Sequence, residues 1–392
     1  MHLNPHLAAT QAPPVMEARR WIADARFPPE RPLLNLSQAA PVAPPPAPLR
    51  AAMAEALDDP ATHLYGPVLG LPELRVALAA RMRQIYSGDL QAARIAITSG
   101  CHQTFCATIS ALPGSGDEIL LPTPWYFNHE MWLATQGINA VPLPCDQSLI
   151  PDPDAARTRI TPRTRAIVLV TPNNPTGTEY PAGTLAAFRN LARAQGLALI
   201  VDETYRDFLG HDGPPHDLFT DPDWDDTLIH LYSFSKAYRL TGHRVGAIAA
   251  SAAHLAEIEK ILDCVTICPT GLGQRAALWG LENLGDWLAG ERREILARRH
   301  HLMSGFEALP GWSLRAAGAY FGYVTHPFDM QSDQLAKRLV QEASLLILPG
   351  TMFAPAQDRA GLRHLRIAFA NADAEGLAEL IRRLQAFTAA NS

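Results

Sequence analysis

The stretch Ser233-Phe-Ser-Lys236-Ala-Tyr-Arg-Leu-Thr-Gly242-His-Arg244-Val-Gly246 follows one apolar run, Leu228–Tyr232, and leads into another, Val245–Ala250. The chain has 33 Lys and Arg residues, and the only lysines are Lys236, Lys260 and Lys337. A guanidinium stays charged at ordinary pH and is no nucleophile, whereas an amine becomes one when its pKa falls. Arginine almost everywhere, yet lysine just after an apolar strand, points to a position that needs an amine. Lysine amines form Schiff bases with carbonyl compounds.

On either side of this stretch the pattern alternates. Short apolar strands are expected at Arg94–Thr98, Glu118–Leu121, Ala166–Val170, Leu197–Val201, Leu228–Tyr232 and Val245–Ala250. Between them, Leu71–Tyr86 carries Leu74, Leu78 and Met82 on one helical stripe, and Cys101–Leu112 and Ala182–Gln195 also read as helices. Strand–loop–helix alternation predicts a mostly parallel sheet covered by helices on both faces.

Residues 1–48 are proline-rich and read as an extended arm with one short helix around Met16–Ala25. The charged helix Leu288–Leu309 breaks the rhythm and is expected to bridge to a smaller domain, with strands near Tyr320–Thr325 and Arg363–Ala368. Its charge run, Glu291 to Arg299, is expected to be a solvated face. At 392 residues the chain exceeds one ordinary core. The expected division is an arm (1–48) joining the small domain, a large domain (49–287) and a small C-terminal domain (288–392).

Composition is that of a globular protein, with 47% hydrophobic and 18% charged residues and a net charge of −6. That balance points away from nucleic acid and from anionic membranes. No window approaches the roughly 18 apolar residues of a membrane span. Cys101, Cys106, Cys145, Cys264 and Cys268 show no metal-site or CxxC spacing and read as free thiols in a reducing compartment. Cytoplasmic localisation is expected.

Ligands in open α/β sheets bind beyond the carboxyl ends of the strands. The polar clusters of this chain fall there. Ser99-Gly100-Cys101-His102 follows one strand and opens a helix, a setting whose backbone N–H groups suit phosphate. Asn174 and Asp202 follow apolar strands, and Tyr205 lies three residues beyond Asp202. An aspartate so placed caps a helix, pairs with a buried cation, or keeps the ring nitrogen of pyridoxal phosphate protonated. Arg244 offers a planar fork for a phosphate.

The ordered set is Ser-Gly-x-x-Gln (99–103), Asn-Asn-Pro-Thr-Gly (173–177), Asp-Glu-Thr-Tyr (202–205), Ser-x-Ser-Lys-x7-Arg-x-Gly (233–246) and Arg-Ile-Ala-Phe-Ala (366–370). From the Gln38 region to Arg366 the chain resembles the class I/II aminotransferases, fold type I enzymes that use pyridoxal 5'-phosphate. The resemblance implies an α/β fold with a mostly parallel seven-stranded sheet and a smaller α/β domain. It implies that Lys236 holds the cofactor as a Schiff base, that Asp202 pairs with its pyridine nitrogen, and that Tyr205 and Asn174 bond its phenolic oxygen. Ser233, Arg244 and the backbone at Cys101 and His102 would hold the phosphate. Tyr126 would stack on the ring, with Trp125 the neighbouring candidate. Tyr65 would reach the cofactor of a partner subunit, which implies a homodimer. Arg366 would clamp the substrate α-carboxylate beside Asn174 and the backbone of Ala39. Family sequences often carry glycine in the Ala39 stretch, so its methyl group would narrow the substrate position.

The activity so implied moves an α-amino group from an amino acid to a 2-oxo acid by alternating half-reactions. The aromatic cluster at Trp125–Phe127, without a basic residue for a side-chain carboxylate, favours an apolar or aromatic donor over an acidic one. Two other readings stand beside it. One is a pyridoxal-phosphate-dependent carbon–sulfur β-lyase with nearly the same cofactor shell. The other is a regulator that uses such a domain as an effector sensor; the expected arm of about 48 residues shows no basic helix–turn–helix pattern to support it. His129 reads equally as a partner of Asp202 or a core histidine, and Cys101 as a small residue beside a phosphate. Cys264 and Cys268 read as core.

Overall fold

A computed structural model describes residues 2–391 of the chain. Seven strands form the larger sheet: β1 (Ile95–Thr98), β2 (Glu118–Thr123), β3 (Asn139–Pro144), β4 (Thr164–Val170), β5 (Ala198–Asp202), β6 (Leu228–Ser233) and β7 (Gly246–Ala249). Their spatial order is β1-β7-β6-β5-β4-β2-β3, and β7 alone runs against its neighbours. The expected α/β architecture with a mostly parallel sheet is the one observed.

The strands are apolar on both sides because helices cover both faces. Side-chain alternation sorts them cleanly. Ile95, Ile97, Ile167, Leu169, Leu199, Val201, Leu228 and Tyr232 join one core with the helices Pro72–Tyr86 and Ala182–Gln195. Ala96, Ile119, Leu121, Val168, Ile200, Ile229 and Leu231 join another with Cys101–Ala111 and Ala252–Thr266. Burying one such aliphatic side chain contributes about 1.5–3 kcal/mol. Helix Ala182–Gln195 turns Leu185, Phe188, Leu191 and Ala192 inward at helical spacing and ends on Gly196 in the left-handed conformation, which lets the chain reverse into β5.

Strand β3 and the preceding helix Phe127–Thr135 were not expected. β3 pairs only with β2, and as an edge strand it tolerates Pro142 and Pro144, which mask the strand signal. Four more strands, β8 (Ser313–Gly318), β9 (Phe321–Thr325), β10 (Leu348–Pro349) and β11 (His364–Ile367), form an antiparallel sheet ordered β10-β11-β9-β8. Leu34–Asn35 of the N-terminal segment pairs in parallel with Leu345–Leu346.

The charged helix runs Gly285–Glu307, and its charge run is not simply a solvated face. Glu291 pairs with Arg239 at 2.6 Å, Arg292 with Asp212 at 2.8 Å, and Arg298 donates to Ala370 O at 2.8 Å. The opposite stripe buries Leu288, Ile295, Leu302 and Phe306. No described helix is long and apolar enough to cross a membrane.

Candidate active site

The carboxyl ends of β1, β2, β4, β5 and β6 surround one cavity of about 440 Å³. It is lined by Ala39, Cys101, His102, Tyr126, Asn174, Asp202, Tyr205, Ser233, Lys236, Arg244 and Arg366. Tyr65, also read from sequence as a cofactor residue, lies elsewhere: it is 80% exposed on the surface of this chain. Trp125 is buried in a core cluster, so Tyr126 is the aromatic that faces the cavity.

Lys236 sits on a single helical turn, Phe234–Ala237, that begins where β6 ends and is capped by Ser233, whose Oγ accepts from Ser235 N. Lys236 Nζ donates to Ala39 O at 2.6 Å and lies 5.9 Å from the Tyr205 ring centre. Burial, with Arg244 and Arg366 nearby, lowers its pKa to about 8. At pH 7 about a tenth of this amine is neutral, and at pH 9 about nine-tenths. The rate at which the cofactor-free protein takes up pyridoxal phosphate should therefore climb between pH 7 and 9 with a midpoint near 8. A midpoint near the ordinary lysine value would mean the amine is not perturbed. Stopped-flow absorbance measures it.

Asp202 ends β5. Burial opposes its ionisation, but His129 and Thr204 outweigh that and hold its carboxyl below the ordinary range. His129 Nε2 lies 3.3 Å from Oδ2, while Thr204 donates to Oδ1 from its backbone N at 3.0 Å and from Oγ1 at 2.7 Å. Thr204 was missed in the sequence, although Asp-x-Thr is a local side-chain-to-backbone turn signal. The adjacent Glu203 turns to the opposite face, where it bonds Tyr86 and His230 in the core. Two neighbouring carboxylates therefore have separate surroundings, and only Asp202 lines the cavity.

Arg244 takes a left-handed backbone (φ 52°), and its Nη1 donates to Thr241 O at 2.9 Å. Its guanidinium lies over Gly100, which has φ +89° and no room for a Cβ. Gly246 is equally confined, against the backbone of Gly100 and Cys101. Helix Cys101–Ala111 thus starts directly beside the arginine, with first-turn N–H groups and a guanidinium together. Burial, then the Asp202 charge, pushes the Cys101 thiol well up, so it is a small neutral group here and no reactive thiolate.

Gly100→Ala should raise the dissociation constant for pyridoxal phosphate by about tenfold or more, because its methyl displaces Arg244 and its φ of +89° with ψ 162° is a glycine-only conformation that adds roughly 1–3 kcal/mol of backbone strain. Equilibrium dialysis measures this; unchanged affinity would separate Arg244 from the phosphate.

Arg366 lies in β11 and is 2% exposed. Its Nη1 donates to Asn174 Oδ1 at 3.0 Å, Nη2 donates to Ser37 O, and Nε has no partner. The rings of Phe321 and Phe353 flank it at 5.2 and 4.9 Å. Burial lowers its pKa to about 10, so it remains a cation at neutral pH. Tyr126 Oη bonds His102 Nε2 at 2.7 Å, and Tyr205 packs against Tyr320 and Phe321.

The cavity lining holds three cations, Lys236, Arg244 and Arg366, and one carboxylate, Asp202. Among the described residues, none of the three cations has a carboxylate within ion-pair distance. Buried charge without a partner is costly. Arg366, buried between the two sheets, therefore calls for an anion from a ligand, and Arg244, exposed beside the helix start, leaves its guanidinium open to a second. A phosphorylated aldehyde with an amino acid carboxylate fits that set.

A family model described as aminotransferase class I and II matches residues 31–384. An aromatic aminotransferase of Arabidopsis thaliana is 29% identical over 302 residues, covering 74% of this chain and 75% of the relative. A valine–pyruvate aminotransferase of Mycobacterium tuberculosis is 30% identical over 387 residues, covering 95% of each. Among solved structures, a mutant of the aspartate aminotransferase of Thermus thermophilus superposes with a TM-score of 0.90 at 26% identity, covering 98% of this chain and 99% of that one.

Proposed function

Because the chain belongs to the aminotransferase class I and II family, it is a transaminase, and we propose that it moves the α-amino group of an apolar or aromatic amino acid onto a 2-oxo acid with pyridoxal phosphate as cofactor. The observation that carries this reading is Lys236: an amine whose pKa is lowered to about 8, bonded to a backbone carbonyl, in the same cavity as Asp202. Names of relatives that act on aromatic amino acids and on valine support the donor class.

Bound pyridoxal phosphate would supply an aldehyde that takes up amino groups and a ring that withdraws electrons. Lys236 Nζ would anchor it there and, once released, take the proton from the substrate α-carbon and return it one position along. Asp202, kept ionised by His129 and Thr204, would hold a proton on the ring nitrogen. Tyr205 and Asn174 would donate to the phenolic oxygen, and Tyr126 would cover the ring face. Arg244, Ser233 and the amides of Cys101 and His102 would hold the phosphate. Arg366 would fix the α-carboxylate, with Asn174 and the Ala39 backbone beside it, and so orient the α-proton toward Lys236.

The same proposal includes a homodimer in which Tyr65 reaches the partner's phosphate; its ring, exposed on this chain, supports that. It keeps an arm (1–48), a large domain (49–287) and a small domain (288–392), supported by the pairing of Leu34–Asn35 with Leu345–Leu346. Five unpaired cysteines support a reducing, cytoplasmic setting.

An absorbance spectrum of the purified protein, repeated with single amino acids and no acceptor, tests the reading. A yellow band that bleaches with apolar or aromatic amino acids is expected. A band that persists while pyruvate accumulates from a sulfur amino acid would assign a lyase instead.

A further inference from the structure

We propose that a second cavity, separate from that of Lys236, binds a small monocarboxylate with an apolar tail, its carboxylate held by Arg206 and Arg81. Binding there is independent of the chemistry at Lys236.

This cavity, of about 220 Å³, lies among helix Pro72–Tyr86, the loop 206–215 and helix Gly285–Glu307. It shares no lining residue with the active-site cavity. Arg206 nevertheless follows directly on Tyr205, so one segment of chain serves both. Arg81 and Ile85 stand four residues apart on the first helix, and Leu288 and Arg292 four apart on the last, so each pair shares a face. Together with Leu209 they give the lining cationic groups and an apolar wall.

Arg206 is 4% exposed. Its Nη1 donates to Tyr86 Oη at 3.2 Å, its guanidinium lies over the Tyr232 ring at 3.8 Å, and its Nε has no partner. Among the described residues no hydrogen bond or ion pair engages Arg206 Nη2 or the guanidinium of Arg81. The carboxylates around them are already committed. Glu203 accepts from Tyr86, Asp207 accepts from Tyr232 Oη at 2.8 Å, and Asp212 pairs with Arg292 at 2.8 Å. A buried cation with unfilled donors is costly, and a ligand carboxylate would fill them with charge-assisted bonds. Three arginines against two aspartates in the lining leave one positive charge in excess, which suits a monoanion better than a phosphate dianion. The volume is below the roughly 300–1,000 Å³ of drug-sized ligand sites, which limits the tail to one small ring or a short chain.

The test follows para-fluorobenzoate by fluorine NMR on the holoenzyme. Arg366→Ala is the background, since it removes the carboxylate clamp of the active site. The probe should still bind there, and adding Arg81→Ala should weaken it about tenfold, with Arg81→Glu weaker still. Arg81 makes no side-chain bond in the fold, so its replacement should leave the unfolding temperature of the free protein unchanged. Para-fluorobenzyl alcohol, which lacks the carboxylate, should not bind. Should Arg366→Ala fail to fold, the comparison runs in the native background, where wild type should bind two probe molecules per chain and Arg81→Ala one. Equal binding with and without Arg81, or no binding to folded Arg366→Ala, overturns the site. Displacement of the probe by inorganic phosphate at lower concentration than by benzoate overturns the ligand class.

Discussion

Lys236→Ala should be inactive, with turnover reduced by more than about 10⁴-fold, because one amine serves as both covalent anchor and proton carrier. No other lysine can substitute, since Lys260 is exposed and paired with Glu257, and Lys337 lies over Trp21. The variant should also lose the yellow band after pyridoxal phosphate is supplied, while its far-UV dichroism stays that of wild type. Lys236→Arg should be equally inactive, since it restores the charge but no nucleophile. Transamination at the wild-type rate in Lys236→Ala would remove the central residue of the proposal.

Asp202→Ala should lower kcat by about 10²–10⁴-fold, as expected for removal of a fixed charge that stabilises the reacting state. The carboxylate is held ionised by Thr204 and His129, so in wild type it carries its charge throughout the neutral range. Without it the cavity lining keeps three cations and no anion. The fold should survive, because the β5 residues on either core, Leu199, Ile200 and Val201, are untouched. A folded Asp202→Ala variant with full kcat would mean that another group protonates the ring, and titration of its absorbance against pH would locate it.

Much of this molecule was legible in the chain. Interior strands such as β4 and β5 read as apolar runs because helices bury both their faces, and a parallel strand ends where its ligand site begins. That placed Ser99–His102, Asn174, Asp202 and Lys236 at one rim before any contact was known. Edge elements were less legible: β3 carries two prolines and β8 carries Arg315, since strands with one free side tolerate them. The charge run on the helix Gly285–Glu307 looked solvent-facing because periodicity reports a stripe, not what packs against it.

The sequence by itself determined the fold class, the amine at Lys236 and the order of the motifs along the strands, because these depend on local patterning and on residue chemistry. Only the tertiary structure decided which side chains meet. Arg366 depends on Asn174 from the large sheet and on Ser37 from the N-terminal segment, separations of 192 and 329 residues. Tyr126 rather than Trp125 faces the cavity because of how the turn after β2 is directed. Such contacts arise from long-range packing, and no local spacing encodes them.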